Sequence, residues 1–235
     1  MKKLLILTAI LLFVLGCKKN DVEKFALTIS VENGTQHTSQ IDMVYAKIAG
    51  ALESNPETIA ETAYGNGTFT LELPGKIDNK YLCSIENSIL PGIKDLQISD
   101  KTAKIAMLVL FSEKNGNHVG NILRNNFDPS ILYQWYNDEF VEIIKETYAT
   151  GAYGTVYIYV NKSVTITGTT VVNEIQGHAL GNPYTYNYNL HFTKGWNKYT
   201  TKTTGIWENN TLKDGTIEIT NIEPAGMKWF YVAMR

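Results

Sequence analysis

The chain has 235 residues and a formal net charge of −2, with 21 Lys and Arg residues against 23 Asp and Glu residues. Proteins that bind nucleic acid neutralise phosphates with a basic surface, and this balance of charge argues against that class of partner. Tyr, Gly, Thr and Asn are plentiful and charged residues make up only 19%, which is typical of a β-protein.

The first residues have the pattern of a secretory signal peptide. Lys2 and Lys3 precede an apolar run from Leu4 to Leu15. A helix needs about 20 apolar residues to cross the hydrocarbon core of a bilayer, and this run is shorter. Residues 1–16 are therefore predicted to be a signal peptide that is cleaved from the mature protein.

The predicted signal ends in Val14-Leu15-Gly16-Cys17, which resembles the lipobox of bacterial lipoproteins. The resemblance implies cleavage before Cys17 and acyl chains on this cysteine, and two or more chains make membrane anchoring stable. Residues 17–24 are predicted to form a lipidated, polar tether. Because Lys18 stands where an Asp would retain a lipoprotein at the inner membrane, the outer membrane is favoured. Its periplasmic and extracellular faces both stay open.

Cys83 is the only other cysteine, so a chain lipidated at Cys17 has no internal disulfide. It lies in the apolar segment from Tyr81 to Ile85, where a lone cysteine most often serves as a small buried apolar residue.

Alternating apolar and polar residues predict strands in the first half of the chain. The run from Phe25 to Val31 places four apolar side chains on one face and ends at Asn33-Gly34. Asn66-Gly67 separates a candidate strand at 59–64 from another at 69–73, which predicts a β-hairpin with a two-residue turn.

The run from Lys104 to Phe111 is apolar without interruption, which favours a central strand buried on both faces. The segment that contains Asn115-Gly116 is predicted to turn the chain back into a strand from Val119 to Leu123.

One helical insertion is predicted between Asp128 and Gly151. Asp128 is a candidate N-cap and Pro129 suits the first helical position. Apolar or aromatic residues then recur every four positions at Leu132, Tyr136, Phe140, Ile144 and Tyr148. A single helix and two short helices broken near Asn137 both fit this pattern.

Strands are predicted to resume after Gly151. Tyr184, Tyr186, Tyr188, Leu190 and Phe192 share one face of a strand, which favours a core face. Lys194-Gly195 and Asp214-Gly215 are predicted turns.

The pattern as a whole predicts a mainly β fold, an antiparallel β-sandwich of immunoglobulin-like or transthyretin-like kind with one short helical insertion. We expect a single sandwich domain over residues 25–235. The alternative is two sandwiches, at 25–98 and 101–235, joined by the polar segment near Ser99.

Several phrases resemble those of β-rich lipoproteins of Bacteroidetes-type bacteria, some of which are loosely called adhesin-like. The phrases are Gly67 to Pro74, Tyr157 to Asn161, Thr165 to Gly168, Lys194 to Asn197 and Gly226 to Phe230. They are strand and turn phrases, so the resemblance implies a β-rich fold at the cell surface and carries over no catalytic residue.

No arrangement of residues in the sequence predicts catalysis, a metal or a cofactor. His37, His118, His178 and His191 are far apart, without the spacing of metal ligands. The carboxylates Asp138, Glu139, Glu142 and Glu146 fall on the polar side of the predicted helix, where they favour its dipole. The protein is therefore predicted not to be an enzyme.

Aromatic residues beside asparagines provide the candidate ligand site. Sugars bind to flat aromatic faces and to amide and hydroxyl groups. The candidates are Trp135, Tyr136, Trp196 and Trp207. The sequence thus predicts a membrane-anchored, non-catalytic module that binds or adheres to a glycan or a host polymer. The alternatives are a structural subunit of an envelope protein assembly and, less favoured, a polysaccharide hydrolase.

Overall fold

A computed structural model of the chain describes residues 24–49, 56–88, 90–129, 151–175, 178–208 and 211–234, and the side chains of 173–183 and 206–213 lie outside this description. The strands in the described residues are β1 (Phe25–Ser30), β2 (Met43–Ala49), β3 (Glu57–Ala63), β4 (Thr68–Leu73), β5 (Cys83–Ser84), β6 (Gln97–Ile98), β7 (Lys104–Lys114), β8 (Asn117–Asn125), β9 (Ala152–Val160), β10 (Val164–Ile175), β11 (His178–Phe192), β12 (Gly195–Glu208), β13 (Thr211–Thr220) and β14 (Lys228–Ala233).

Helical structure among the described residues consists of four short 3-10 turns, Gly34–His37, Asn79–Tyr81, Ile85–Asn87 and Ile93–Asp95. Within the same residues, none of the helices is long and apolar enough to span a bilayer. The helical insertion predicted after Asp128 falls mostly on residues 130–150, outside the described residues.

Over the described residues the fold is mainly β and consists of two sheets, as predicted. The larger sheet has the strand order β3-β2-β7-β8-β9-β12-β13-β11-β10-β6, with β14 added beside β8 and β5 beside β7. Its pairs are antiparallel except β11–β13, which is parallel. Strands from both sides of Ser99 therefore share this sheet, and Gln97–Ile98, next to the linker considered above, pairs with β10.

The smaller sheet consists of β1 and β4, which pair antiparallel from Phe25–Leu73 to Ser30–Thr68. It packs on one face of the larger sheet, which we call the first face, and completes a sandwich. The first core lies between the two sheets and includes Leu27, Ile29, Leu71, Leu108, Tyr159 and Trp229.

A second core lies on the opposite, second face of the larger sheet and includes Ile85, Ile93, Ile158, Ile166, Leu190 and Ile219. Strand β9 contributes to both cores, because Tyr157 and Tyr159 enter the first and Ile158 and Val160 enter the second. Strand β7 does the same in its N-terminal half, where Ile105 and Ala106 are both buried. The prediction of a central strand at 104–111 is confirmed for that half.

The tyrosine-rich face of β11 is also confirmed as a core face, since Tyr186, Tyr188, Leu190 and Phe192 are buried. The turn predicted at Asp214-Gly215 is wrong, because both residues lie inside β13. A Cβ on Gly215 would lie 2.4 Å from Cε1 of Tyr184. This glycine therefore makes room for an aromatic ring of the neighbouring strand instead of forming a turn.

Two Asn-Gly pairs behave differently. Asn115 and Gly116 have φ angles of 52° and 77°, as a two-residue hairpin turn requires, and they join β7 to β8 as predicted. The hairpin predicted at Asn66-Gly67 is wrong, because β3 pairs with β2 while β4 pairs with β1. Asn66 lacks the positive φ of that turn, and the chain passes here from one sheet to the other.

Close backbone packing explains why Gly67 is at this corner. A Cβ on Gly67 would lie 2.6 Å from the Cα of Gly34. The Gly67 carbonyl accepts a hydrogen bond from Val31 N–H at 2.8 Å, and the buried Tyr64 hydroxyl donates to the Gly34 carbonyl at 3.0 Å. Together these contacts hold the end of β1 against the start of β4.

We expect Gly67→Ala to lower the free energy of unfolding by more than Gly226→Ala. Both glycines have a φ of 87°, but nothing lies within 4 Å of a Cβ at Gly226. Gly226→Ala therefore isolates the cost of a left-handed conformation, about 1–2 kcal/mol, and Gly67→Ala adds the clash with Gly34. Urea unfolding of a fragment that starts at Asp21 measures both, and equal losses would contradict this account of the corner.

Candidate functional site

Three central strands of the larger sheet separate and leave a gap. Strand β7 pairs with β8 from Phe111 onward and with β9 only up to Met107. Strands β8 and β9 pair with each other at Arg124 and Asn125. Residues 108–110 of β7, 122–123 of β8 and 156–157 of β9 consequently have no register partner across the gap.

The gap forms a cavity of about 370 Å³, within the size range of small-molecule sites. Its lining is mainly aliphatic and aromatic: Met107, Leu108, Val109, Leu110, Ile122, Leu123, Arg124, Asn125, Gly154, Thr155, Val156, Tyr157, Tyr199, Thr201 and Trp229. Such a lining favours an apolar ligand body.

The two faces of the sheet give the cavity a floor and a mouth. On the first face its lining is largely buried, at Leu108, Leu110, Ile122, Tyr157 and Trp229. On the second face several lining side chains are only half-buried, at Met107, Val109, Leu123, Val156 and Thr201. Among the described residues, the cavity therefore opens on the second face and is closed by the first core.

A charged cluster lies beside the floor. Arg124 donates from Nε and Nη2 to the two carboxylate oxygens of Glu223, each at 2.7 Å, and Lys198 donates to Oε1 of Glu223 at 3.1 Å. The Glu223 side chain is only 9% exposed. The Arg124 guanidinium lies 5.2 Å from the ring centroid of Trp229. The cluster links the loop between β13 and β14, which carries Glu223, to β8 and β12.

The cluster also sets the ionisation of Glu223. Burial alone would raise the pKa of this carboxyl, but the hydrogen bonds from Arg124 and Lys198 oppose it and leave the pKa below its ordinary value of 4.5. Two cations then face one carboxylate, so the cluster has a net positive charge.

The predicted ligand residues are spread over the chain. Trp196 is half-buried at the start of β12, donates from Nε1 to the Pro74 carbonyl at 2.9 Å and packs against Phe25 and Tyr159. Trp207 belongs to β12, but its side chain is not described. Trp135, Tyr136 and the predicted lipidation residue Cys17 lie outside the described residues. Of the four predicted aromatics, Trp196 is the one whose side chain is described.

The cysteine and two of the histidines considered in the sequence analysis make contacts within the fold. The half-buried Cys83 donates to the Ile105 carbonyl at 3.6 Å, and burial raises the pKa of its thiol, so the reactive thiolate is disfavoured. His37 packs on Tyr231 and His118 on Phe111. No group of three potential metal ligands occurs in the described ranges. The carboxylates at 138–146 fall outside them.

Sequence patterns missed the gap, Arg124 and Glu223. Period-two alternation indicates which side chains are buried but not where two neighbouring strands separate. Glu223 lies in the loop between β13 and β14, and its partners are 25 and 99 residues away along the chain. No local signal in the sequence connects these three residues.

We expect Glu223→Gln to lower the free energy of unfolding at pH 7 by about 1–3 kcal/mol, because two cations lose their buried partner. The lowered pKa makes this contribution present above pH 4.5 and lost as pH falls through the folded-state pKa. The difference in free energy of unfolding between the wild type and Glu223→Gln should therefore become smaller in acid.

Urea unfolding between pH 7 and pH 3 measures this difference in the free energy of unfolding. Glu86→Gln, which removes an exposed ion pair with Lys101, is the matched control and should change little. A constant difference between wild type and Glu223→Gln across this range would contradict the ionic account.

Comparison with known proteins gives no relative with which this site could be compared. No protein-family model matches the chain, no curated protein matches it, and no solved structure matches it.

Proposed function

We propose that this protein is a bacterial outer-membrane lipoprotein, tethered through lipid on Cys17, whose β-sandwich acts as a non-catalytic binding or adhesion module. The observation that carries the proposal is the lipobox-like Val14-Leu15-Gly16-Cys17, followed at once by a short polar segment and then by the first strand at Phe25.

The position of β1 supports a short tether. Residues 18–24 span at most about 25 Å at 3.3–3.6 Å per residue. Phe25 packs against Tyr157 and Trp196, with ring centroids 5.8 and 6.5 Å away, which holds the start of β1 on the larger sheet. A chain lipidated at Cys17 would keep its sandwich close to the membrane surface.

The ligand class that we propose is a glycan or host-surface polymer. Support comes from a polar stretch of the first face on β10 and β11, beyond the smaller sheet. It presents hydroxyl, amide and imidazole groups at Thr167, Thr169, Thr185, Asn187, Asn189 and His191. Hydrogen bonds join some of these groups, such as Thr169 to Asn187 at 2.8 Å. Hydroxyl and amide groups of this kind are suited to sugar hydroxyls.

The aromatic part of the proposed site rests on Trp135, Tyr136 and Trp207. Trp196 already uses its indole N–H and two ring contacts within the fold. Its substitution would disturb the packing of the smaller sheet, so the binding experiment below leaves it unchanged.

Lipidation is tested by growing cells with a clickable fatty acid. The wild type should be labelled and should fractionate with the outer membrane, whereas Cys17→Ala should lose both properties because the acylated sulfur is gone. Cys83→Ala is the matched control, since it removes the other cysteine, and it should be labelled like the wild type. Labelling of Cys17→Ala would contradict the proposed anchor.

Binding is tested with a glycan and extracellular-matrix array, using the fragment from Asp21, which contains every described residue. We expect at least one array member to bind, with affinity reduced about tenfold or more in Trp135→Ala or Trp207→Ala through loss of a stacking face. Met234→Ala, at an exposed position after β14 and away from β10 and β11, should bind like the wild type.

The result distinguishes the proposed module from its alternatives. Absence of binding to every array member, together with stoichiometric partners in membrane pull-downs, would favour an envelope assembly subunit. Turnover of a polysaccharide that depends on Asp138 or Glu142 would favour a hydrolase.

A further inference from the structure

We propose that the cavity between β7, β8 and β9, with Lys47 at its rim, binds a monocarboxylic amphiphile such as a medium-chain fatty acid. This site is separate from the proposed polymer-binding residues and does not depend on lipidation at Cys17.

The size and lining of the cavity define the body of the ligand. At about 30 Å³ for each water-sized group, a volume of about 370 Å³ holds on the order of twelve such groups. The buried floor at Leu108, Ile122 and Tyr157 offers mainly hydrocarbon and ring surface. A hydrocarbon chain of about ten carbons therefore fits, whereas a sugar would lose hydrogen bonds to water without replacement.

The entrance defines the direction of binding. Val109, Leu123 and Val156 surround the mouth on the second face and are half-buried. A chain inserted from this side would reach the first core with its apolar end and leave its polar end at the surface.

Lys47 is the cation beside this mouth. It is the register partner of Val109 on the adjacent strand β2, so the two side chains emerge next to each other on the second face. Its Nζ lies 4.9 Å from the ring centroid of Phe111 and 5.7 Å from that of Tyr45.

Lys47 makes these ring contacts and no ion pair among the described residues. By contrast, Lys114, near the far end of β7, is paired with Asp42 at 2.6 Å. An ammonium ion held by rings beside an apolar opening is complementary to a single carboxylate.

Acidic residues on the same face restrict the ligand further. Burial, followed by the charges of Glu113 and Glu61, raises the pKa of Tyr45, the other ring in contact with Lys47. Two carboxylates therefore lie a short distance along β2 from Lys47, Glu61 opposite Tyr45 and Glu113 opposite Met43. A ligand with one negative charge at Lys47 is favoured over a ligand with several.

The test measures displacement of 11-(dansylamino)undecanoate from the fragment that starts at Asp21, after its folding has been checked by thermal unfolding. Decanoate should displace the probe at least about tenfold better than decanol or decylamine. Lys47→Met should abolish this preference and leave the affinity for decanol unchanged, whereas Lys47→Arg should retain it.

Two further variants test the cavity itself. Val156→Phe and Thr201→Phe place a larger side chain in the lining and should weaken both decanoate and decanol by about tenfold or more. Two are used so that one remains if the other perturbs folding, and only variants with a wild-type melting transition are scored.

The controls lie away from the cavity. Lys80→Met removes another lysine that lies over a tyrosine ring, and Val171→Phe enlarges an exposed side chain, so both should bind like the wild type. Absence of displacement, equal affinity for decanoate and decanol, or an unchanged preference in Lys47→Met would overturn the proposal. Because the fragment lacks Cys17, its result is independent of the anchor experiment.

Discussion

Strands β7 and β9 bury side chains on both of their faces, and both hydrophobic cores depend on this. Alternation in β9 sends Tyr157 and Tyr159 into the first core and Ile158 and Val160 into the second. A change of register by one residue would exchange the two sets and place tyrosines where the second core has room for aliphatic groups. The central strands therefore fix the register of everything packed on either side.

The gap between these strands lies where β7 exchanges one neighbour for another. Neighbouring strands twist relative to one another, so one strand can stay within hydrogen-bonding distance of two diverging neighbours over only part of its length. Strand β7 stays with β9 at its N-terminal end and with β8 at its C-terminal end, so the change of partner occurs in the middle. The cavity lies at residues 108–110, where β7 is paired with neither β8 nor β9.

Sequence patterns predicted the parts of the fold in which local chemistry and tertiary contacts agree. The Asn115-Gly116 hairpin and the tyrosine-rich face of β11 are examples, because a turn type or an alternating face was sufficient to determine them. Asn66-Gly67 has the same local signature as Asn115-Gly116, but contact with Gly34 and pairing of β4 with β1 determined its conformation instead.

The candidate cavity could not be predicted in the same way. It depends on which strands separate, and the ion pair beside its floor joins residues 99 positions apart. The proposed lipid anchor is the reverse case, because its evidence lies entirely in the first residues of the sequence. The sequence is thus most informative about the proposed membrane anchor, and the structure is most informative about the cavity.

The smaller sheet has a mechanical consequence for a tethered domain. Any force carried by a lipid on Cys17 enters the sandwich at Phe25, the first residue of β1. Six register pairs with β4, together with the ring contacts of Phe25 and the Trp196–Pro74 hydrogen bond, stand between that force and the larger sheet. Pulling along β1 loads these pairs together, whereas pulling across the strand loads them one after another. The direction in which the domain is pulled from the membrane, more than the size of its cores, would then set the force at which it begins to unravel.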